Sequence, residues 1–272
     1  MVVTTTIAMN DGNAIPAIGF GLWQVDDSAN VVVDALALGY RLVDGAAIYG
    51  NEAGLGAGLR QSGVPRHEVF VTTKCWNDAH GFDAALRAFD ASLKRTGLDH
   101  VDLYLIHWPC PQQDRYVDTW RALIRLKDEG RATSIGVSNF HAAHLERLVA
   151  ETGVAPALNQ IELHPRLQQG PLRAVHTAMG IVTQSWTPLG KGQSFDDPVI
   201  KAIAARVGRS AAQVILRWHL ELGCSVIPRS SRRAGLAENI DISGFSLTPD
   251  DHAAIATLDR GARTGPNPDQ FA

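Results

Sequence analysis

The sequence predicts an α/β chain folded as a single (β/α)8 barrel with an N-terminal β-hairpin, one domain over residues 1–272. Three observations predict it. Short β-branched runs alternate with longer segments whose apolar residues recur at helical spacing, the order of βα units and a parallel sheet. About eight such runs occur, the number that closes a parallel barrel. The chain is 45% hydrophobic, enough for one large core, and no Gly/Ser-rich linker or charge block divides it.

Taken in order, Thr4–Pro16 carries Asn10-Asp11-Gly12, a tight-turn signal that predicts a small hairpin placed to plug the barrel's N-terminal end. The expected barrel strands are Ala17–Gly21, Arg41–Asp44, Val69–Lys74, Val101–His107, Thr133–Ser138, Ala157–Ile161, Ile181–Ser185 and Ser225–Ile227. Helical patterns lie between them, among them Ser28–Leu38, Phe82–Lys94, Asp118–Glu129 and Ala211–Leu222. Thr248–Ala272 opens with one helix and becomes rich in Gly, Pro and polar residues, which predicts a surface tail or a loop over the active site.

The formal charge of −3 comes from interspersed residues, without the basic stripe that binding to a phosphate backbone requires, so nucleic acid is not an expected partner. Three cysteines, Cys75, Cys110 and Cys224, are too few for a disulfide framework and too scattered for metal-ligand spacing, and they fit a reducing compartment. Met1–Asn10 has no basic region ahead of an apolar run, and no stretch reaches the ~18 apolar residues of a membrane span. The expectation is a cytoplasmic monomer with no metal and no membrane partner.

In a parallel barrel the chemistry projects from the C-terminal ends of the strands. Polar residues gather there: Asp44 ends the second strand, Lys74 the third and His107 the fourth, Ser138-Asn139 follows the fifth, and Tyr49 lies five residues beyond Asp44. Reduction of a carbonyl by hydride builds negative charge on oxygen that a donated proton must meet. Tyr49 would give that proton, with the Lys74 ammonium lowering the phenol's pKa from about 10. Asp44 would hold Lys74, and a neutral His107 would donate a hydrogen bond to the carbonyl oxygen. A structural ion pair between Asp44 and Lys74 is the competing account. Spacing alone thus marks a mouth without settling a reaction.

Several segments go further. They are Asp11-Gly12-Asn13 with Ile15-Pro16, Gly39-Tyr40-Arg41 through Val43-Asp44, Ala47-Ile48-Tyr49-Gly50-Asn51-Glu52, Thr72-Thr73-Lys74, Val101 through Pro109, Ile135 through Phe140, and Asn159 through Pro165. In this order and spacing the chain resembles the aldo-keto reductases, notably the bacterial members similar to 2,5-diketo-D-gluconate reductase. The resemblance implies a barrel that binds a nicotinamide cofactor without a Rossmann domain and reduces aldehydes or ketones to alcohols. It places the catalytic tetrad on Asp44, Tyr49, Lys74 and His107.

By the same resemblance, Ser138, Asn139 and Gln160 contact the nicotinamide carboxamide and Trp186 stacks on its ring, with Gly21, Leu22, Trp23, Asp44 and Thr187 nearby. The pyrophosphate falls along Leu189, Gly190, Lys191 and Gly192. The adenosine 2′-phosphate falls on Ile227, Arg229, Ser230, Ser231 and Arg232, followed by Leu236, Glu238 and Asn239. Core packing for Trp186, loop capping for Asn139 and Gln160, and plain surface charge for the arginines are the alternatives.

Trp23, Trp76 and Trp108, with Tyr49 and His107, are expected to line the substrate mouth. Gln112, Gln113 and Arg115 read as solvated loop residues, and His164 as a fold-keeping hydrogen-bonding group. Three departures from the family pattern stand out: Gly45 follows the catalytic aspartate where threonine is usual, Thr187 replaces serine or glycine, and Gly235 replaces an arginine. NADPH is the expected cofactor, with NADH possible because Gly235 removes a cation. A metal-dependent barrel hydrolase and a cofactor-binding redox-sensing module are the competing classes.

Overall fold

The computed structural model describes residues 5–271, so Met1–Thr4, which include the first residue of the expected hairpin, and Ala272 lie outside the described residues. β1 (Thr6–Ala8) and β2 (Ala14–Pro16) pair antiparallel, Thr6 opposite Pro16 and Ala8 opposite Ala14. The turn closes through Met9 N to Asn13 O at 2.8 Å and contains Gly12 at φ +86, backbone that a side chain disfavours. Ile15 is fully buried against Leu42, Leu103, Leu105 and Leu158, so the hairpin fills the barrel's N-terminal end as expected. Asn10 Nδ2 fastens it to Pro156 O at 2.9 Å and Asn13 Nδ2 to Ser134 Oγ at 3.2 Å.

The barrel follows in chain order: β3 (Phe20–Gly21), α1 (Ser28–Ala37), β4 (Leu42–Asp44), α2 (Glu52–Ser62), β5 (Phe70–Cys75), α3 (Phe82–Thr96), β6 (Val101–Ile106) and α4 (Tyr116–Asp128). It continues with β7 (Ala132–Ser138), α5 (Ala142–Thr152), β8 (Leu158–Glu162), α6 (Gly170–Ala178), β9 (Val182–Trp186), α7 (Pro198–Val207), α8 (Ala211–Glu221), β10 (Ser225–Val226), α9 (Arg233–Ile240) and α10 (Pro249–Ala256). All eight barrel strands are parallel and each pairs with its sequence neighbour. Strand alternation sorts the side chains: Leu103 and Leu105 of β6 point inward, while Tyr104 packs edge-on against Phe89 of α3.

The seam between β3 and β10 closes the ring through Gly19 N to Val226 O at 2.8 Å and Val226 N to Ala17 O at 2.9 Å. Both strands here are shorter than the sequence suggests. A Cβ on Gly19 would meet Leu42 Cγ at 2.4 Å, so the chain passes close to β4 here, and Ile18 keeps an isolated bridge to Val226. Prolines flank the seam at Pro16 and Pro228 and donate nothing to it.

Buried imidazoles also lie away from the strand ends that carry Asp44, Lys74 and His107. His176 joins Asn159 and Thr183, His219 joins Ser185 and the Pro188 carbonyl, and His80 is buried in the loop ahead of α3 with neither ring nitrogen bonded. Burial, the leading cause in each, pulls His80 and His176 to about 4 and His219 to about 3. A folded-state pKa below the unfolded value near 6.5 means that the unfolded chain takes up more protons as the pH falls. Their stabilising contribution is complete above ~6.5 and is lost as pH drops towards 4 and below. Urea unfolding is therefore expected to show stability lower by at least ~2 kcal/mol at pH 5 than at pH 7. Equal midpoints and slopes at the two pH values would contradict this.

Candidate active site

The ends of β4, β5 and β6 bring the tetrad together. Lys74 is fully buried and donates from Nζ to Asp44 Oδ2 at 2.7 Å, to Gly45 O at 2.9 Å and to Tyr49 OH at 3.3 Å. Gly45 N continues the ladder to Thr72 O at 2.9 Å, which aims the Gly45 carbonyl at the ammonium. Its lack of a side chain serves space, since a Cβ would meet Leu55 Cδ1 at 2.9 Å. Tyr49 ends a short 3-10 turn, Ala47–Tyr49, which Gly50 stops at φ +71. His107 meets Tyr49 and Trp76 edge-on, with ring centroids 5.8 and 5.0 Å away.

Electrostatics corrects one expectation. Tyr49 is not acidified by Lys74: burial, and then the Asp44 charge, push its phenol well above 10. The ammonium is already committed to Asp44, so desolvation wins. The phenol stays protonated near neutrality, the form a proton donor must have. Burial draws Lys74 below 10.5 although Asp44 opposes it, and burial followed by the Lys74 charge holds His107 well below 6.5. A neutral His107 has a ring N–H to donate.

These groups open onto a cleft of about 860 Å³. Gly21, Trp23, Asp44, Tyr49, Trp76, His107, Trp108, Ser138, Asn139, Gln160, Trp186, Thr187, Leu189, Lys191, Gly192, Ile227 and Arg229 line it, so most sequence-predicted positions converge. Lys74 lies behind the wall and acts through its contacts. Leu22 does not line the cleft: it is buried in the core beside Phe20 and Val25, with its N–H on Asp44 O. Gly190 also stands apart, turned at φ +54 towards the His164 ring.

Ser230, Ser231 and Arg232 form the turn ahead of α9, beside the cleft but outside its lining, with Ser230 Oγ bonded to both Arg232 N and Arg232 O. Of the flanking positions, Leu236 is buried in the core, where its carbonyl receives Tyr40 OH at 2.9 Å; Asn239 is buried too, and Glu238 is exposed.

The carboxamide candidates are engaged with the protein itself. Gln160 Nε2 donates to Asp44 Oδ1 and to Gln184 Oε1, both at 2.7 Å, and so braces the tetrad from behind. Asn139, at φ +64, donates from Nδ2 to the His107 carbonyl, and its Oδ1 accepts from Trp186 Nε1 at 2.8 Å. Trp186 is therefore a fixed, partly exposed cleft wall and not core filling. His164 is fully buried with Nε2 3.2 Å from Glu162 Oε1, the structural part foreseen for it.

The expected tail or loop over the site is there, although the sequence singles out none of its residues. Thr264, Gly265, Pro266 and Phe271 from the C-terminal tail line the cleft, and Phe271 lies 4.6 Å from Trp108, centroid to centroid. Gln112 donates to Asp269 O at 2.7 Å and ties the β6–α4 loop to this tail. Arg115 turns away to cover Gly81. Among the described residues no group of three His, Cys, Asp or Glu side chains is placed to hold a metal ion.

Comparison with known proteins extends this geometry. Residues 17–260 match the Aldo/keto reductase family. The chain is 50% identical over 267 residues to an aldo-keto reductase of Mycolicibacterium smegmatis, covering 97% of each. It is 46% identical to the methylglyoxal reductase DkgA of Escherichia coli strain K12, over 98% of each chain. Its fold is similar to the crystal structure of a Gox0644 mutant in complex with NADPH, with a TM-score of 0.95, 48% identity and 99% of each chain covered. A match spanning the barrel, and near-half identity along almost the full length of these relatives, allow one conclusion: the chain belongs to the aldo-keto reductase family.

Proposed function

We propose that the protein reduces aldehydes and ketones, dicarbonyls and keto-sugars among them, to alcohols with NADPH, working as a single-domain enzyme of the cytoplasm. One observation carries the reading: the buried Lys74 Nζ 2.7 Å from Asp44 and 3.3 Å from the Tyr49 hydroxyl, at the floor of an open cleft. A relative that is a methylglyoxal reductase and a structural neighbour in complex with NADPH support it. The three free, buried cysteines suit a reducing compartment. Among the described residues no helix is long and apolar enough to cross a membrane.

The cleft fits the cofactor chemically. Lys191 and the exposed Arg229 bring positive charge to its lining, and Gly192 at φ +79 permits close backbone approach to a pyrophosphate. Trp186 offers a flat indole for the nicotinamide, with Ser138, Asn139 and Gln160 at its margin. Trp23, Ile48, Trp76, Trp108 and Phe271 give apolar walls to the carbonyl compound.

When bound, the nicotinamide supplies the hydride. Tyr49 passes its phenolic proton to the carbonyl oxygen as charge develops there. Lys74 stabilises the phenolate left behind, Asp44 and Gln160 keep Lys74 aimed, and neutral His107 donates a hydrogen bond that orients the carbonyl.

Initial rates on a panel of aldehydes, dicarbonyls and keto-sugars, run in parallel with NADPH and NADH, test this reading. Turnover is expected with NADPH and slower turnover with NADH. NADPH binding without any turnover would favour the redox-sensing module, and one equivalent of tightly bound zinc would favour the hydrolase. Cofactor discrimination is tested at Gly235, where a Cβ would meet Ser230 Oγ at 2.4 Å, a contact the small hydroxyl relieves by rotating. Gly235→Arg is expected to tighten NADPH about 3–10-fold more than NADH, the worth of one exposed charge-assisted contact. Equal effects on both cofactors would remove the position from the 2′-phosphate site.

A further inference from the structure

Glu162 ends β8 fully buried, and the reaction above gives it no role. An unpaired carboxylate in such a place costs several kcal/mol, so its partners reveal what it is for. They come from the tail. Thr264 N and Thr264 Oγ1 both donate to Oε1 at 2.6 Å, and Gly265 N donates to Oε2 at 3.2 Å. His164 adds a contact at 3.2 Å, and the Arg263 guanidinium lies 3.9 Å away. Burial alone would raise the carboxyl's pKa; the His164 and Thr264 contacts outweigh it and hold the group ionised.

What Glu162 fastens is a stop for the indole. A Cβ on Gly265 would fall 2.5 Å from Trp186 Cη2, so the glycine backbone abuts the six-membered edge of the ring. At the opposite end Trp186 Nε1 donates to Asn139. The ring is therefore gripped at both ends, by the loop after β7 and by the tail. Lys191 adds to the grip by donating to Thr264 O at 3.2 Å.

We propose that Glu162 is a positioning residue: by holding Thr264 and Gly265 it fixes the indole of Trp186 in its plane, and so couples the C-terminal tail to the nicotinamide platform. This rests on the proposed reading that Trp186 carries the nicotinamide. It goes beyond that reading in making cofactor affinity depend on residues that never touch the reacting atoms.

The test titrates NADPH into the full-length chain and reads quenching of tryptophan fluorescence, with melting temperature and the kcat and KM for a carbonyl substrate measured beside it. Gly265→Ala is expected to weaken NADPH about tenfold and reduce the quenching amplitude, with melting temperature almost unchanged. Glu162→Gln, which keeps the volume but places an amide against the tail's donors, is expected to act in the same direction. Combined with Thr264→Val it is expected to do less than the product of the two single effects.

Multiplicative effects, or Gly265→Ala binding NADPH with wild-type affinity and quenching, would overturn the proposal. Gly265 lies outside the barrel strands and keeps the test decisive if Glu162→Gln does not fold. A wild-type chain that binds no NADPH would overturn the functional reading as well, whereas variants matching a wild type that binds overturn the positioning role alone.

Discussion

Tyr49→Phe is expected to lower kcat for carbonyl reduction by about 100- to 10,000-fold, the usual worth of a positioned general acid, with NADPH affinity within about twofold of wild type. The substitution removes one oxygen whose recorded partner is Lys74 Nζ at 3.3 Å, and it leaves the ring in its edge contact with Trp23, 5.1 Å between centroids. Little in the fold depends on that hydroxyl. Because burial and Asp44 keep the phenol protonated, neither group offers a substitute proton of comparable access: Lys74 is sealed behind the wall and His107 is neutral. Single-turnover rates with preformed enzyme and NADPH separate the chemical step from binding, and near-normal turnover would remove Tyr49 from the mechanism.

Lys74→Met is expected to lose both activity and stability, and the two losses can be told apart. The ammonium and Asp44 are both nearly inaccessible, and removing one partner of a buried pair leaves an uncompensated charge, at a cost of about 3–5 kcal/mol. Adding Asp44→Asn removes that orphaned charge, so the double variant is expected to regain much of the stability. It is expected to regain none of the activity, since no cation remains to stabilise the Tyr49 phenolate. Denaturant melts and carbonyl turnover on the two single variants and the double one decide the matter. Activity recovering together with stability would make the pair structural, the competing account that the sequence leaves open.

How much of the site is legible in the sequence follows from where each residue sits. Asp44, Lys74 and His107 each end an apolar or β-branched run, so strand periodicity locates them at the mouth, and the seven βα steps from β3 to β10 are visible for the same reason. Tyr49 needed the motif around it. The proton affinity of Tyr49 was not legible, because its sign depends on whether Asp44 or Lys74 controls the local field, a matter of ångströms. Gln160 is expected from the motif as a cofactor contact, but its grip on Asp44 requires knowing that β8 and β4 face each other across the barrel. The tail was least legible. Thr264, Gly265 and Phe271 carry no periodicity, and their course is set by the distant side chains of Glu162, Trp186 and Trp108.

The seam between β3 and β10 has a consequence for how the molecule is made. Its hydrogen bonds join residues about two hundred positions apart, Ala17 and Gly19 to Val226, and Ser225 Oγ reaches Pro16 O across the same gap. During synthesis the first barrel strand must therefore wait, one edge unpaired, until nearly the whole chain has emerged, and ring closure comes among the last steps of folding. The hairpin, complete within the first sixteen residues, must wait as well, because Ser134, Pro156 and Leu158, on which it docks, emerge only near or past the middle of the chain.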